Sequence, residues 1–321
     1  MSYQSVYVWP NKAFPFRVYF ESDNLRIFII ENLQHNYEWL NIYKKKIKKS
    51  DIFFVILGCN WSQFLLKNAL DMFEYLGLDQ DQFYILYNDS RDADLFASSG
   101  FLGEEINQNS WIDFNGSMQV IEHTPKLFDS IYVGRLIPVK RHYLANSVNN
   151  LALICGRLYG SNIEQEAPPH IYRNEGQLSP TEVCLKINES RSGLILSERE
   201  GACFASSEYL LCGIPVISTQ SEGGRAVWYD DYNSILCSDN PIEISEAVQY
   251  FKENPRDPLV IRNGHIAKSQ VYRQKFILKL AILFEKHGEH SVDANEYFQN
   301  NFIHKLRKSY APNFDEIFNY A

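Results

Sequence analysis

Two glutamates eight positions apart, Glu200 and Glu208, sit in the stretch LILSEREGACFASSEYLLCGIPVISTQSEGGR. It reads as strand, loop, helix, strand, loop. With a helix beginning near Ala202, Glu208 lies on the helix and Glu200 in the loop before it. The amides of Cys203, Phe204 and Ala205 then stand at the helix N-terminus, whose partial positive charge suits a phosphate. Carboxylates beside a phosphate repel it. They make sense if they grip hydroxyls, those of a sugar on one side and of a ribose on the other. Farther upstream, Gly134-Arg135-Leu136-Ile137-Pro138-Val139-Lys140 directly follows the strand Ser130–Val133. Arg135 offers a planar fork and Lys140 a point charge, and the two can converge on a diphosphate. Each feature alone has a plainer reading, as surface carboxylates, solvent-facing cations or, for Gly223-Gly224, a turn. It is their shared context that favours a ligand site.

These residues need strands and helices to hold them. The 321 residues are long enough for about two domains. Hydrophobic residues make up 45% and charged residues 22%, which suits a chain with a buried core and excludes disorder, collagen or coiled coil as a description of the whole. Apolar runs delimit strands at Ser5–Trp9, Arg17–Phe20, Arg26–Ile30, Ile52–Leu57 and Phe83–Tyr87. Trp61–Leu76 has helical spacing, with Ser62 as its N-cap. Strand–helix–strand order implies a parallel sheet. Periodicity fades over Asp113–Pro125, which reads as a linker. A second series follows: strands at Ser130–Val133, Leu151–Cys155, Pro169–Tyr172, Gly193–Leu196 and Pro215–Ser218, and helices at Lys140–Val148, Ser179–Ser190, Ala205–Cys212, Ile242–Glu253 and Leu259–Phe284. Ser179, Pro180 and Glu182 make a capping-box start. More helix is expected from Asp293 onward.

The C-terminal half resembles the nucleotide-sugar-binding domain of the retaining glycosyltransferases of family 4, which have the GT-B fold. Two motifs carry the resemblance. One is E-x7-E, Glu200 to Glu208, followed by CGIPVIST and Glu222-Gly223-Gly224. The other is GRLxxxK, Gly134 to Lys140. The match covers roughly Asp129 to Val248 and continues upstream in ILYNDSRDADLFASSGF and INQNSWID. It implies an α/β, GT-B protein with two Rossmann-like domains facing across a cleft. Residues 1–127 would form a reduced acceptor-side domain, joined by a C-terminal helix over 293–321, and residues 128–292 would bind the nucleotide sugar. By the same resemblance, Arg135 and Lys140 bind the donor pyrophosphate and stabilise the leaving nucleoside diphosphate without a metal. Glu200 holds the transferred sugar and Glu208 the ribose. Gly134, Cys203, Phe204, Gly223 and Gly224 complete the donor site, and Tyr172 begins the loop that frames the base. No cofactor is implied beyond a UDP- or GDP-type sugar as donor substrate. The family's Phe-Gly after the first Glu-Gly is Ala202-Cys203 here, which alters the shape of the donor pocket.

The N-terminal half departs from that family. VYVWPNKAFPF lacks the glycine pair of its first loop, and His35 and His123 are the candidates for its sugar-side histidine. Asn60, Trp61 and Ser62 follow the strand Ile52–Leu57 and are the acceptor-side candidates, Trp61 reading equally as core or cleft wall. The acceptor itself, a sugar, a lipid-linked sugar or a small molecule, is not readable. The lysine run Lys44–Lys49 suits either a solvated helix face or contact with anionic lipid headgroups. A net charge of -8 disfavours nucleic acid as a partner. The six cysteines stand singly, without metal-ligand spacing, and fit a reducing cytosol. The first residues lack signal-peptide character and no apolar run is long enough to span a bilayer, so a cytoplasmic enzyme is expected, peripheral at the inner membrane surface if the lysine run binds lipid. The competing functions are a nucleotide-sugar epimerase or sugar phosphorylase on the same fold, and a non-catalytic nucleotide-sugar-binding module.

Overall fold

The computed structural model describes residues 16–156, 164–306 and 314–318. The strand expected over Ser5–Trp9 lies outside these residues, as do parts of the expected helix 293–321. The chain divides into two compact units, Met1–Trp111 with Val271–Ala321, and Ile112–Gln270. The sequence reading sets its divisions at 127/128 and 292/293.

In the first unit, β1 (Phe16–Glu21), β2 (Arg26–Glu31), β3 (Asp51–Ile56), β4 (Phe83–Tyr87) and β5 (Leu102–Glu105) form one sheet in that order. The first two pair as an antiparallel hairpin with a bulge between Val18 and Phe20, and β2 to β5 run parallel. The parallel strands are joined by α1 (Tyr37–Tyr43), α2 (Gln63–Leu76) and α3 (Ser90–Phe96). β2 and β3 read RIFIIE and DIFFVI and are buried almost throughout, as expected of strands covered on both faces. In-register Phe28, Phe53 and Phe83 stack across three strands, with ring centroids 4.8 and 4.6 Å apart. Much of the aromatic excess of this half therefore fills its core. α2 turns Leu66, Ala69, Phe73 and Leu76 to the sheet. Ser62 Oγ caps its start, and Gly77, at φ 67°, closes its end in the left-handed conformation that glycine adopts without strain.

The second unit carries a six-stranded parallel sheet of β6 (Ser130–Val133), β7 (Leu151–Ile154), β8 (Tyr172–Arg173), β9 (Gly193–Ile195), β10 (Val216–Thr219) and β11 (Ser234–Cys237). Its order is β11-β10-β9-β6-β7-β8. The chain winds outward from β6 to β8, then returns to the other side of β6 and winds outward again. This is the doubly wound Rossmann order, and its reversal falls between β6 and β9. The helices are α4 (Pro180–Asn188), with the expected capping box of Ser179 and Glu182, α5 (Phe204–Leu211), α6 (Pro241–Glu253) and α7 (Pro258–Lys286). α7 begins in this unit and ends in the first, where α8 (Ala294–Asn300) and α9 (Phe314–Phe318) also belong.

Three readings differ from the observed structure. Residues 113–125 strap onto the second unit instead of running free. Arg262 donates to the carbonyls of Phe114 and Met118, and Ile121 N donates to Asn188 Oδ1. In place of a helix over Lys140–Val148 there are two short 3-10 turns, Pro138–Lys140 and His142–Ala145. Arg141 between them is left-handed at φ 49°, and its guanidinium reaches Leu196 O, Thr219 Oγ1 and Asp239. Those three bonds reward a backbone conformation that helix continuation forbids. In place of the strand expected over Pro169–Tyr172 there is the two-residue β8, which overlaps it only at Tyr172.

Candidate active site

The two motif regions meet at the reversal point of the second unit's sheet. Gly134–Lys140 leaves the carboxyl end of β6, and Glu200 lies in the loop after β9. These strands are neighbours in space though distant in sequence. Lys140 Nζ stands 2.7 Å from Glu200 Oε1, and the two side chains are only 17% and 15% exposed. The Ser197 hydroxyl donates to the same carboxylate oxygen. Burial would by itself raise the Glu200 carboxyl. The charge and hydrogen bond of Lys140, then the Ser197 hydroxyl and Arg225, outweigh it and hold the group below its ordinary range.

Local backbone geometry fixes each partner. Leu136 and Ile137 are buried anchors directly before the turn Pro138–Lys140 that lifts Lys140. The Tyr132 hydroxyl donates to the Lys140 carbonyl, and Lys140 N donates to Ile137 O at 2.9 Å. The Glu200 loop is stitched to the loop after β10: Glu200 N donates to Glu222 O, Glu222 N to Glu198 O and Gly224 N to Gly201 O, at 2.9 to 3.0 Å. Gly223 is indispensable to this close approach. Its φ is 130°, and a Cβ there would stand 1.8 Å from Glu200 O.

α5 begins at Phe204 with Cys203 as its left-handed N-cap, φ 56°. Burial pushes the Cys203 thiol up to about 12, with the neighbouring Glu200 charge adding to the shift, so the thiol stays protonated. Glu208 lies within α5 and is 8% exposed. The helix is seated by Tyr209. Its hydroxyl accepts from Val133 N at 2.7 Å, and its ring lies so close to Gly193 that a Cβ there would come within 2.2 Å of it.

Beside the ion pair is a cavity of about 350 Å³, with Arg135 and Lys140 on its wall together with Gly156, Asn174, Gln177 and Leu178. The aliphatic part of Arg135 passes over Gly156. Asn174 holds the far wall by bonding Cys155 N, Cys155 O and Gly176 O. Gly134 also lines the cavity; Glu208, Phe204, Gly223 and Tyr172 do not. The Tyr172 ring packs instead on Phe128, centroids 5.7 Å apart, and under the Lys186 ammonium at 4.7 Å.

In the first unit the acceptor-side candidates have these surroundings. Trp61 is buried in the core against Phe96, Ser62 caps α2, and Asn60 is half-buried at the end of β3. His35 is half-buried, and burial lowers its imidazole below the ordinary value. His123 is exposed, in a left-handed conformation, and belongs to the second unit. Lys44–Lys46 forms a 3-10 turn before β3, at the amino edge of the first sheet.

Sequence reasoning did not find Ser197, Arg141 or Arg225. Arg225 is 1% exposed and donates to Ser197 Oγ at 2.6 Å, Ser218 Oγ at 3.1 Å and Thr219 O at 2.8 Å. A signal for it existed: it is the sole Lys or Arg between Arg199 and Lys252, directly after the glycine pair.

No protein-family model matches the sequence, nor does any curated protein sequence. Solved structures do resemble it. HepE from Anabaena in complex with UDP is 13% identical over 72% of each chain, with a TM-score of 0.53. Sucrose-phosphate synthase from Thermosynechococcus elongatus is 12% identical over 81% of this chain and 73% of that one, TM-score 0.52. The E. coli trehalose-6-phosphate structure bound with UDP-2-fluoro glucose is 13% identical over 79% and 70%, TM-score 0.51. At these identities the likeness establishes the fold, a GT-B arrangement of two Rossmann-like units. Among the described residues no helix is long and apolar enough to cross a membrane.

Proposed function

We propose that this protein is a retaining glycosyltransferase that moves a sugar from a UDP- or GDP-type donor to a hydroxyl acceptor, in glycan or glycoconjugate synthesis. The observation that carries the reading is the Lys140–Glu200 pair at the sheet's reversal point, beside a cavity walled by Arg135. Doubly wound sheets bind nucleotides at that point. Arg135 and Lys140 line that cavity and no carboxylate is among its described lining residues, so it favours an anion. HepE, whose fold this chain shares, has been seen with UDP and with UDP and glucose.

In this reading the donor diphosphate draws Lys140 away from Glu200 and onto its own oxygens, joined by Arg135. The released Glu200 carboxylate accepts hydrogen bonds from the transferred sugar. Glu208 serves the ribose hydroxyls, and the Cys203 and Phe204 amides and Gly223-Gly224 border the sugar and phosphate. The bond from the anomeric carbon to the phosphate oxygen breaks, and the acceptor oxygen bonds to the same face of that carbon. The acceptor proton passes to the departing diphosphate. Preorganised cations stabilise the charge that grows there, so the residues supply the needed electrostatics without a protein nucleophile. The second unit takes the donor and the first presents the acceptor.

The test is incubation with UDP- and GDP-hexoses and a panel of sugar acceptors, followed by NMR of the products. Glycoside with the donor's anomeric configuration supports the proposal. An epimerised donor, sugar released only with inorganic phosphate, or tight nucleotide binding without any turnover would overturn it.

A further inference from the structure

Arg225 is a fully buried cation whose hydrogen-bond partners are all neutral: two serine hydroxyls and a carbonyl. No carboxylate lies within ion-pair distance of it among the described residues. Burying a guanidinium without a directly bonded anion is costly, and a chain that keeps one there obtains something for it. The nearest anion is Glu200, one hydroxyl away. Ser197 Oγ accepts from Arg225 at 2.6 Å and donates to Glu200 Oε1. Ser197 is itself fully buried, so no water competes for either bond.

We infer that Arg225 is a positioning residue, which acts through the Ser197 hydroxyl to keep the Glu200 carboxylate ionised and aimed once Lys140 has moved to the donor diphosphate. Lys140 is the stronger stabiliser of Glu200 in the ligand-free protein. On the proposed path that stabiliser leaves at the moment the carboxylate must receive sugar hydroxyls as an anion. The relay supplies a second, immobile positive charge that the ligand does not recruit, because Arg225 is spent on the ends of β9 and β10. The catalytic consequence rests on the glycosyl-transfer reading; the relay itself does not. Other groups face Glu200 as well: Tyr132 from β6, Cys203 from its own loop, and the exposed Arg199–Glu222 pair at 3.0 Å on the stitched loops. Tyr132 and Cys203 are neutral near pH 7, burial raising both. The Arg199–Glu222 pair is largely self-cancelling and screened by water.

The experiment follows the Glu200 side-chain carboxyl directly, by 13C NMR titration of protein labelled at the glutamate δ-carbons. Glu200→Gln identifies the resonance. Ser197→Ala cuts the relay but leaves the Arg225 bonds to Ser218 and Thr219, so a folding defect is avoided; Ser197→Thr restores a hydroxyl, and Arg225→Met removes the charge. The Glu200 titration is expected to move to higher pH in Ser197→Ala and Arg225→Met and to return in Ser197→Thr. An unchanged curve in both would overturn the relay. Nucleoside-diphosphate release from UDP- and GDP-hexoses is measured on the same proteins. Its kcat should fall on the order of ten- to a hundredfold in Ser197→Ala, with donor KM little changed and the acid limb shifted upward. A wild-type protein that turns over none of these donors, while the titration shifts as expected, would defeat the transferase reading and leave the relay standing.

Discussion

An ion pair at the amino edge of the first unit's sheet and another at the carboxyl edge of the second unit's sheet are built differently. In the first unit Arg26 grips Asp51 with two bonds, at 2.8 and 2.6 Å, at the amino edge of β2 and β3. Both side chains are closed off, at 4% and 0% exposure. Their remaining valences are used locally, Arg26 on Ile317 O and Asp51 on Lys48 N. In the second unit Lys140 touches Glu200 through a single contact at the carboxyl edge, partly exposed and bordered by a cavity. A bidentate, saturated pair at the amino edge is cement. A monodentate pair at the carboxyl edge, where this fold binds ligands, is one that a competing anion can open.

That contrast is breakable. Asp51→Ala leaves Arg26 buried and unpaired and should lower unfolding stability by about 3–5 kcal/mol in urea titration, while the folded fraction binds UDP or GDP as before. A loss near zero would mean that the first pair is not cement. Acid should next discriminate the carboxyl edge. His142 is fully buried against Tyr132, and neither ring nitrogen has a partner. Burial, assisted by the Lys140 charge, pushes its pKa down from 6.5 to about 4. The unfolded chain therefore takes up this proton first. The contribution is complete above pH 6.5 and is lost as pH falls toward 4, by about 3 kcal/mol at roughly 1.4 kcal/mol per unit. His142→Phe should flatten that part of the stability–pH curve, and an identical slope would refute the assignment.

Lys140→Ala should do the reverse of Asp51→Ala. Calorimetry with UDP and GDP should show affinity reduced on the order of ten- to a hundredfold, with a smaller stability loss because Glu200 keeps Ser197 and partial access to water. Equal affinity would remove Lys140 from the proposed phosphate site. The smallest of these effects compares two glycines. Gly223→Ala meets backbone, Glu200 O, at an unfavourable positive φ, and should cost about 2 kcal/mol and disturb donor turnover. Gly58→Ala meets only the side-chain ends of Glu31 and Asn32, which can move, and should cost less. Thermal melts that rank Gly58→Ala as the worse would show that the Glu31 and Asn32 side chains cannot give way.

Much of this organisation was legible in the chain. Apolar runs located the central strands because buried parallel strands need continuous hydrophobic residues, and β4 and β6 fall where the runs say. The start of α4 was legible because a capping box is a local chemical signature. α1, α3, β5 and β11 were not, since short elements carry too little periodicity; β5, LGEE, has almost none. Lys140 and Glu200 were each named from sequence, yet as servants of different ligand groups. Their contact, and the burial of Arg225 behind it, depend on β9 returning to lie beside β6, a pairing that no local pattern encodes.

The residue types alone determined that opposite charges and helix-end amides would gather around the strands of the second half, because those patterns are short and chemically specific. They also determined that the first half would be rich in aromatic residues. Only the tertiary structure decided what that wealth is for: Phe28, Phe53 and Phe83 fall in register and stack, so it builds core. It also decided which of many charges matter. The number of bonds and desolvation, not identity or distance, separate the two-bond, closed-off pair of Arg26 and Asp51 from the single-contact, partly exposed pair of Lys140 and Glu200, and both are properties of packing.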